Sequence, residues 1–109
     1  MSALERLVEN LAAVRLPEVF NPWRDYDKLY DQEPTAPEIR CRQLRDYLRI
    51  RLGRAKYIFL AEGLSYQGGK FTGIAMTSER ILLGHHALIK PQAVMDLQAV
   101  RCSRAYGQN

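Results

Sequence analysis

The sequence predicts an α/β protein in which helices cover a parallel sheet, and three observations carry that reading. The run "KYIFLA" at residues 56–61 is continuous, apolar and rich in β-formers. It lacks the alternation of a half-buried strand, so both of its faces should be covered. A helical pattern precedes it at residues 36–52, and a shorter one follows within "ERILLG". Between strand and second helix lies "AEGLSYQGGKFTGIAMTSE", which holds Gly63, Gly68, Gly69 and Gly73, four of the chain's 7 glycines. The centre of the chain therefore reads helix, buried strand, irregular loop, helix.

The elements follow from local signals. Ser2 with Glu5 three residues later is a capping box, and Leu4, Leu7, Val8, Leu11 and Val14 keep a helical period behind it. Pro17 ends that helix. Residues 17–37 hold four of the 5 prolines together with Trp23, too broken for regular structure and too aromatic for a free linker. An ordered surface loop is expected, pinned to the core by Trp23 and Tyr26. Thr35 with Glu38 gives a second capping box, and Pro37 suits a first helical turn. That helix should stop at Gly53, with Cys41, Leu44, Tyr47, Leu48 and Leu52 on one face and Arg42, Arg45 and Arg49 on another. Thr77 or Ser78 can cap the helix that Gly84 ends. Beyond His86, "PQAVMDLQAV" suits a helix or a strand equally well.

With 109 residues and 47% hydrophobic content, the chain can form one modest domain with a core. No apolar run approaches the roughly 20 residues needed to span a bilayer. Glu5 and Glu9 interrupt the place where a secretory signal would lie, so a cytoplasmic protein is expected. Cys41 and Cys102 are too few for a disulfide framework or a cysteine-built metal site. The net charge of +4 leans toward an anionic partner. Residues 40–56 concentrate it, with six Arg and one Lys against a single acid, Asp46. That face is either a solvated helix surface or a DNA-phosphate contact through Arg42, Arg45 and Arg49.

Glu62 falls at the carboxyl end of the expected strand, where α/β sheets place their ligand sites. The glycines around it permit close backbone approach, though their spacing fits neither GxGxxG nor GxxxxGK[ST]. A small nucleotide-binding domain is disfavoured on that ground. A carboxylate can position water or stabilise a cation, and Phe71 offers a flat face on which a base could stack. Together these suit removal of a nucleobase, whose sugar acquires oxocarbenium character as the glycosidic bond breaks.

The interval resembles the first active-site motif of the uracil-DNA glycosylase superfamily. In the branch with a Gly-Glu-Ala-Pro-Gly signature, an acidic residue at the end of the first strand precedes a Gly-x-Pro-Phe-x-Gly segment. Here "FLAEGL" supplies Glu62, and "GGKFTGIA" supplies Gly69, Phe71 and Gly73. The stretches "VFNPWRDYD" and "GIAMTSERILLGHH" look like the bacterial glycosylase-like proteins of this superfamily. The resemblance implies a partial three-layer α/β/α sandwich with a parallel sheet, the N-terminal helices preceding the first strand. It implies hydrolysis of the N-glycosidic bond of uracil in single- or double-stranded DNA by base flipping, as part of DNA repair. Glu62 would be catalytic, and Phe71, Tyr66, Gly63 and Gly73 would bind the base. No cofactor or metal is needed for that chemistry, and two cysteines cannot hold the four-cysteine iron–sulfur cluster of some members.

The acidic motif's Pro is missing, with Leu64 in that region, and the acid-to-Phe interval is short. The resemblance covers residues 18–86, and the family's second motif, with its downstream His, has no counterpart. His85 and His86 come too soon to serve. The chain thus reads as a single domain over residues 1–109 truncated at its C-terminus. The competing expectation is a non-catalytic remnant that acts as a nucleic-acid-binding or interaction module. Self-association is expected if the sheet is incomplete.

Overall fold

The computed structural model describes residues 2–59 and 68–104. Among the described residues four helices follow in order: α1 (Ala3–Ala13), α2 (Ala36–Arg49), α3 (Gly69–Thr72) and α4 (Glu79–Leu82), then a 3-10 turn over Pro91–Ala93. Long irregular segments connect them.

Helix α1 begins as its sequence requires. The Ser2 hydroxyl accepts from the Glu5 N–H at 3.1 Å, and the Ser2 N–H donates back to the Glu5 carboxylate at 3.3 Å. At its other end the Asn21 side-chain amide donates to the carbonyls of Leu11 and Val14 at 2.7 and 2.9 Å. The proline-rich loop thereby satisfies carbonyls that a helix terminus leaves open. Helix α4 is capped by Ser78, whose hydroxyl accepts from Ile81 N–H, and Gly84 follows it with φ +88°.

Helix α2 departs from expectation at both ends and along its face. Thr35 sits in a helical conformation and makes no side-chain cap, so the capping box is not formed. The helix closes at Arg49 and turns continue through Arg54, with Gly53 at φ +79°. Its buried residues are Ala36, Pro37, Arg40, Gln43, Leu44 and Asp46, while Leu52 is left exposed. The buried polar side chains hold the backbone of flanking loops. Gln43 donates to Thr72 O at 2.9 Å and accepts from Val100 N–H at 3.1 Å. Asp46 accepts from Leu97 N–H at 2.9 Å. Arg40 donates to Pro22 O at 3.0 Å and pairs with the fully buried Asp31. Loops with no sheet ladder still need partners for their buried backbone groups, and α2 supplies them.

Two apolar clusters flank this polar spine. Ala36, Phe71 and Cys102 form one, with Tyr30 and Ile39 packed on it. Ile74, Leu82 and Met95 form the other, with Tyr47, Val94 and Ala99 against it.

The expected α/β architecture is not present. Among the described residues there is no strand and no parallel sheet, only an isolated antiparallel bridge between Asp31 and Ser103. Residues 56–59 of the expected first strand are irregular, and Tyr57, Ile58 and Phe59 are 82%, 83% and 82% exposed. The physical reason is that β-propensity only marks a segment able to pair; a strand exists when another segment supplies the ladder. No described segment does so here. Residues 60 and 61 lie outside the described residues. Among the described residues no helix is long and apolar enough to cross a membrane.

Candidate functional site

Residues 68–79 are the described part of the glycine-rich interval, and backbone and side-chain bonds from α2 and the proline-rich loop hold them. Helix α3 is a single turn, and the chain leaves it through Gly73 at φ +79°. A Cβ at Gly73 would stand 2.7 Å from Arg40 O and 2.9 Å from Arg40 Cβ, so space as well as conformation demands glycine. The Gly73 carbonyl accepts from the Trp23 indole N–H at 3.2 Å. Trp23 therefore pins the proline-rich loop to the core, as its sequence setting predicts. The fully buried Thr72 hydroxyl accepts from Ile74 N–H at 3.0 Å and donates to Thr77 O at 2.8 Å.

Lys70 makes the second bridge between these two stretches. Its ammonium meets the Asp27 carboxylate at 2.7 Å and lies 4.7 Å from the Phe20 ring centroid. Burial pushes the Asp27 carboxyl upward, but the Lys70 ammonium and the Leu29 N–H outweigh it and lower its pKa. An apolar cleft of about 480 Å³ opens beside this bridge, with Leu11, Phe20, Pro22 and Trp23 in its walls and Lys70 at its edge.

The expected site residues fall into three groups. Glu62, Gly63 and Tyr66 lie outside the described residues. Phe71 and Gly73 are both built into the frame. The Phe71 ring is only 2% exposed and packs with Ala36 and Cys102, so a base could stack on it only after that packing opened. Arg42, Arg45 and Arg49 do share α2 but are not equivalent. Arg42 is exposed and Arg45 half-buried, and neither forms a salt bridge among the described residues. Arg49 meets Asp46 at 2.6 Å and Asp96 at 3.2 Å.

Sequence reasoning passed over Asp27, Asp31, Arg40 and Gln43, which build the frame. No local signal singled them out: Asp27 and Asp31 are two of five acids in residues 17–37, and Arg40 and Gln43 lie in an ordinary helical pattern. Burial disfavours the thiolate at both cysteines: it pushes Cys102 up to about 12 and raises Cys41 as well. Among the described residues no group of three or more His, Cys, Asp or Glu could hold a metal ion.

Compared with protein-family models, with curated proteins and with solved structures, the chain matches none.

Proposed function

We propose that this protein acts on uracil-containing DNA as a uracil-DNA glycosylase-like protein, with residues 61–73 as its base-excision segment. One observation carries the reading beyond sequence resemblance. The two separate stretches that bear the resemblance, "VFNPWRDYD" and "GGKFTGIA", meet in space through Trp23 with Gly73 and through Asp27 with Lys70.

In this reading the frame anchors the downstream end of the segment that carries Glu62. The Glu62 carboxylate takes a proton from the attacking water, or stabilises the sugar cation, as the C1′–N1 bond of a flipped deoxyuridine breaks. Water becomes the new C1′ hydroxyl, uracil leaves with the bonding electron pair, and an abasic site remains. A labelled uracil-containing single-stranded oligonucleotide, incubated with the protein and then treated with alkali, tests this. Strand scission is expected from the wild type, reduced about 100-fold or more in Glu62→Gln. Scission at the wild-type rate by Glu62→Gln would remove Glu62 from the mechanism. No scission from either protein would remove the enzymatic reading.

A second reading is favoured by the exposed Arg42 and the half-buried Arg45, which have no acidic partner among the described residues. In it the chain holds nucleic acid without cleaving the glycosidic bond. It is distinguished by salt-dependent retention of the same oligonucleotide with no base released.

A further inference from the structure

We propose that His86 is a proton-operated latch on the loop at residues 85–90, closed while its imidazole is neutral and open once it is protonated. The His86 Nδ1 atom accepts from the Leu88 and Ile89 N–H groups, each at 3.1 Å. Two donors that converge on one ring atom require a lone pair there, so His86 carries its proton on Nε2. An imidazolium has N–H groups at both positions and no acceptor. Protonation therefore removes both bonds in one step and sets a new N–H against two others.

The loop is built so that this one acceptor decides its shape. Its two ends are fixed independently of His86. The His85 N–H donates to Arg80 O at 2.9 Å, and the Lys90 carbonyl accepts from Ala93 N–H at 2.9 Å. A Cβ at Gly84 would stand 3.7 Å from Pro91 Cγ, so the loop closes at its base. Among the described residues, no hydrogen bond other than the two to Nδ1 holds residues 86–89. Leu88 is 88% exposed, so its packing does not hold the tip either. The acids of the flanking elements are engaged elsewhere. Glu79, on the helix before the loop, accepts from Cys102 N–H at 2.6 Å, and Asp96, beyond the loop, meets Arg49 at 3.2 Å. The remaining charged or titratable groups there are basic: Arg80, His85 and Lys90, all exposed. No ion pair among the described residues involves His86. Histidine is the side chain whose charge ordinarily changes between about pH 5 and 8, which sets the range in which to look. The sign follows from the bonds: they belong to the neutral ring, so the closed loop is present at the upper end of that range and lost toward the lower.

NMR of the full chain across that range tests the latch. At about pH 8 the ring-nitrogen spectrum of His86 should show a bare Nδ1 and a protonated Nε2. As the ring titrates, the Leu88 and Ile89 amide protons should move upfield, toward unbonded positions, with the same midpoint as the ring. Signals from Ile74, Leu82 and Met95, which form a core cluster, should stay in place, showing that the loop opens and the fold does not. His86→Asn separates hydrogen bonding from titration, because an Asn side-chain oxygen can accept from the N–H two residues on but takes up no proton in this range. Its Leu88 and Ile89 amides should not respond to pH. His86→Ala should already place them at about pH 8 where the wild type has them at about pH 5. His85→Asn, next to the latch but outside its bonds, should behave as the wild type does. A His86 ring protonated on Nδ1 at the upper end overturns the proposal. So do amides that ignore the His86 titration, or a pH response of those amides that survives in His86→Asn. Every readout is made on the protein alone, so the latch and the glycosylase reading fail separately.

Discussion

Gly73 is the residue at which conformation, packing and the candidate site coincide. Its φ of +79° is a strained setting for any other residue, and its missing Cβ is where the Arg40 backbone passes. Gly53 shares the same φ but has nothing within 4 Å of the missing Cβ. Comparing Ala at the two positions therefore separates strain from crowding. Gly53→Ala should cost about 1 kcal/mol, the backbone effect alone. Gly73→Ala adds displacement of Arg40 and Trp23 and should cost about 2–4 kcal/mol, read as the shift in urea midpoint. Equal losses at the two sites would show that Arg40 and Trp23 yield without strain. The glycines were legible in the sequence as a group, but not which of them was indispensable. That depends on Arg40, 33 residues earlier in the chain, crossing at this point.

Among the elements, α1 and α4 were readable because their signals are local: a hydroxyl before the first turn and a proline or glycine after the last. The buried face of α2 was not, because its burial is decided by loops distant in sequence that need hydrogen-bond partners. Asp46 shows the consequence. Burial would raise its carboxyl, but the Leu97 N–H and the Arg49 guanidinium outweigh that and hold its pKa below 3.8. Asp27 is lowered in the same sense. A carboxyl whose folded pKa is depressed contributes stability above its unfolded value and loses it as pH falls through the folded one. Stability should therefore hold as pH falls toward about 4 and drop below it, with Asp27 and Asp46 both contributing. Asp46→Asn should lower the urea midpoint at neutral pH and flatten the acid limb. An unchanged acid limb would take Asp46 out of the linkage. The expected strand is not formed at its described residues, 56–59, for the converse reason. Its local propensity was sound, but pairing is a property of two segments.

For the whole molecule, the distribution of charge decides more than its sum. Residues 40–56 carry seven basic side chains, yet the fold uses several of them internally. Arg40 is buried against Asp31, and Arg49 pairs with Asp46 and Asp96. Arg51 donates to the carbonyls of Val94 and Ala93 and lies 3.8 Å from the Tyr47 ring centroid. Arg42, Arg54 and Lys56 are exposed and Arg45 is half-buried. If the chain holds nucleic acid, these four carry the phosphate contacts, and Arg49 does not. Each phosphate contact to single-stranded DNA contributes roughly 0.7 to the slope of log affinity against log salt. Arg42→Ala with Arg45→Ala should therefore lower that slope by about 1.4, read by fluorescence anisotropy with a labelled single strand at several salt concentrations. Arg49→Ala should leave the slope unchanged, because its guanidinium is already neutralised by two carboxylates. A loss of slope from Arg49→Ala equal to that of Arg42→Ala would mean that its ion pairs open on binding and that the internal use of charge does not shape the surface.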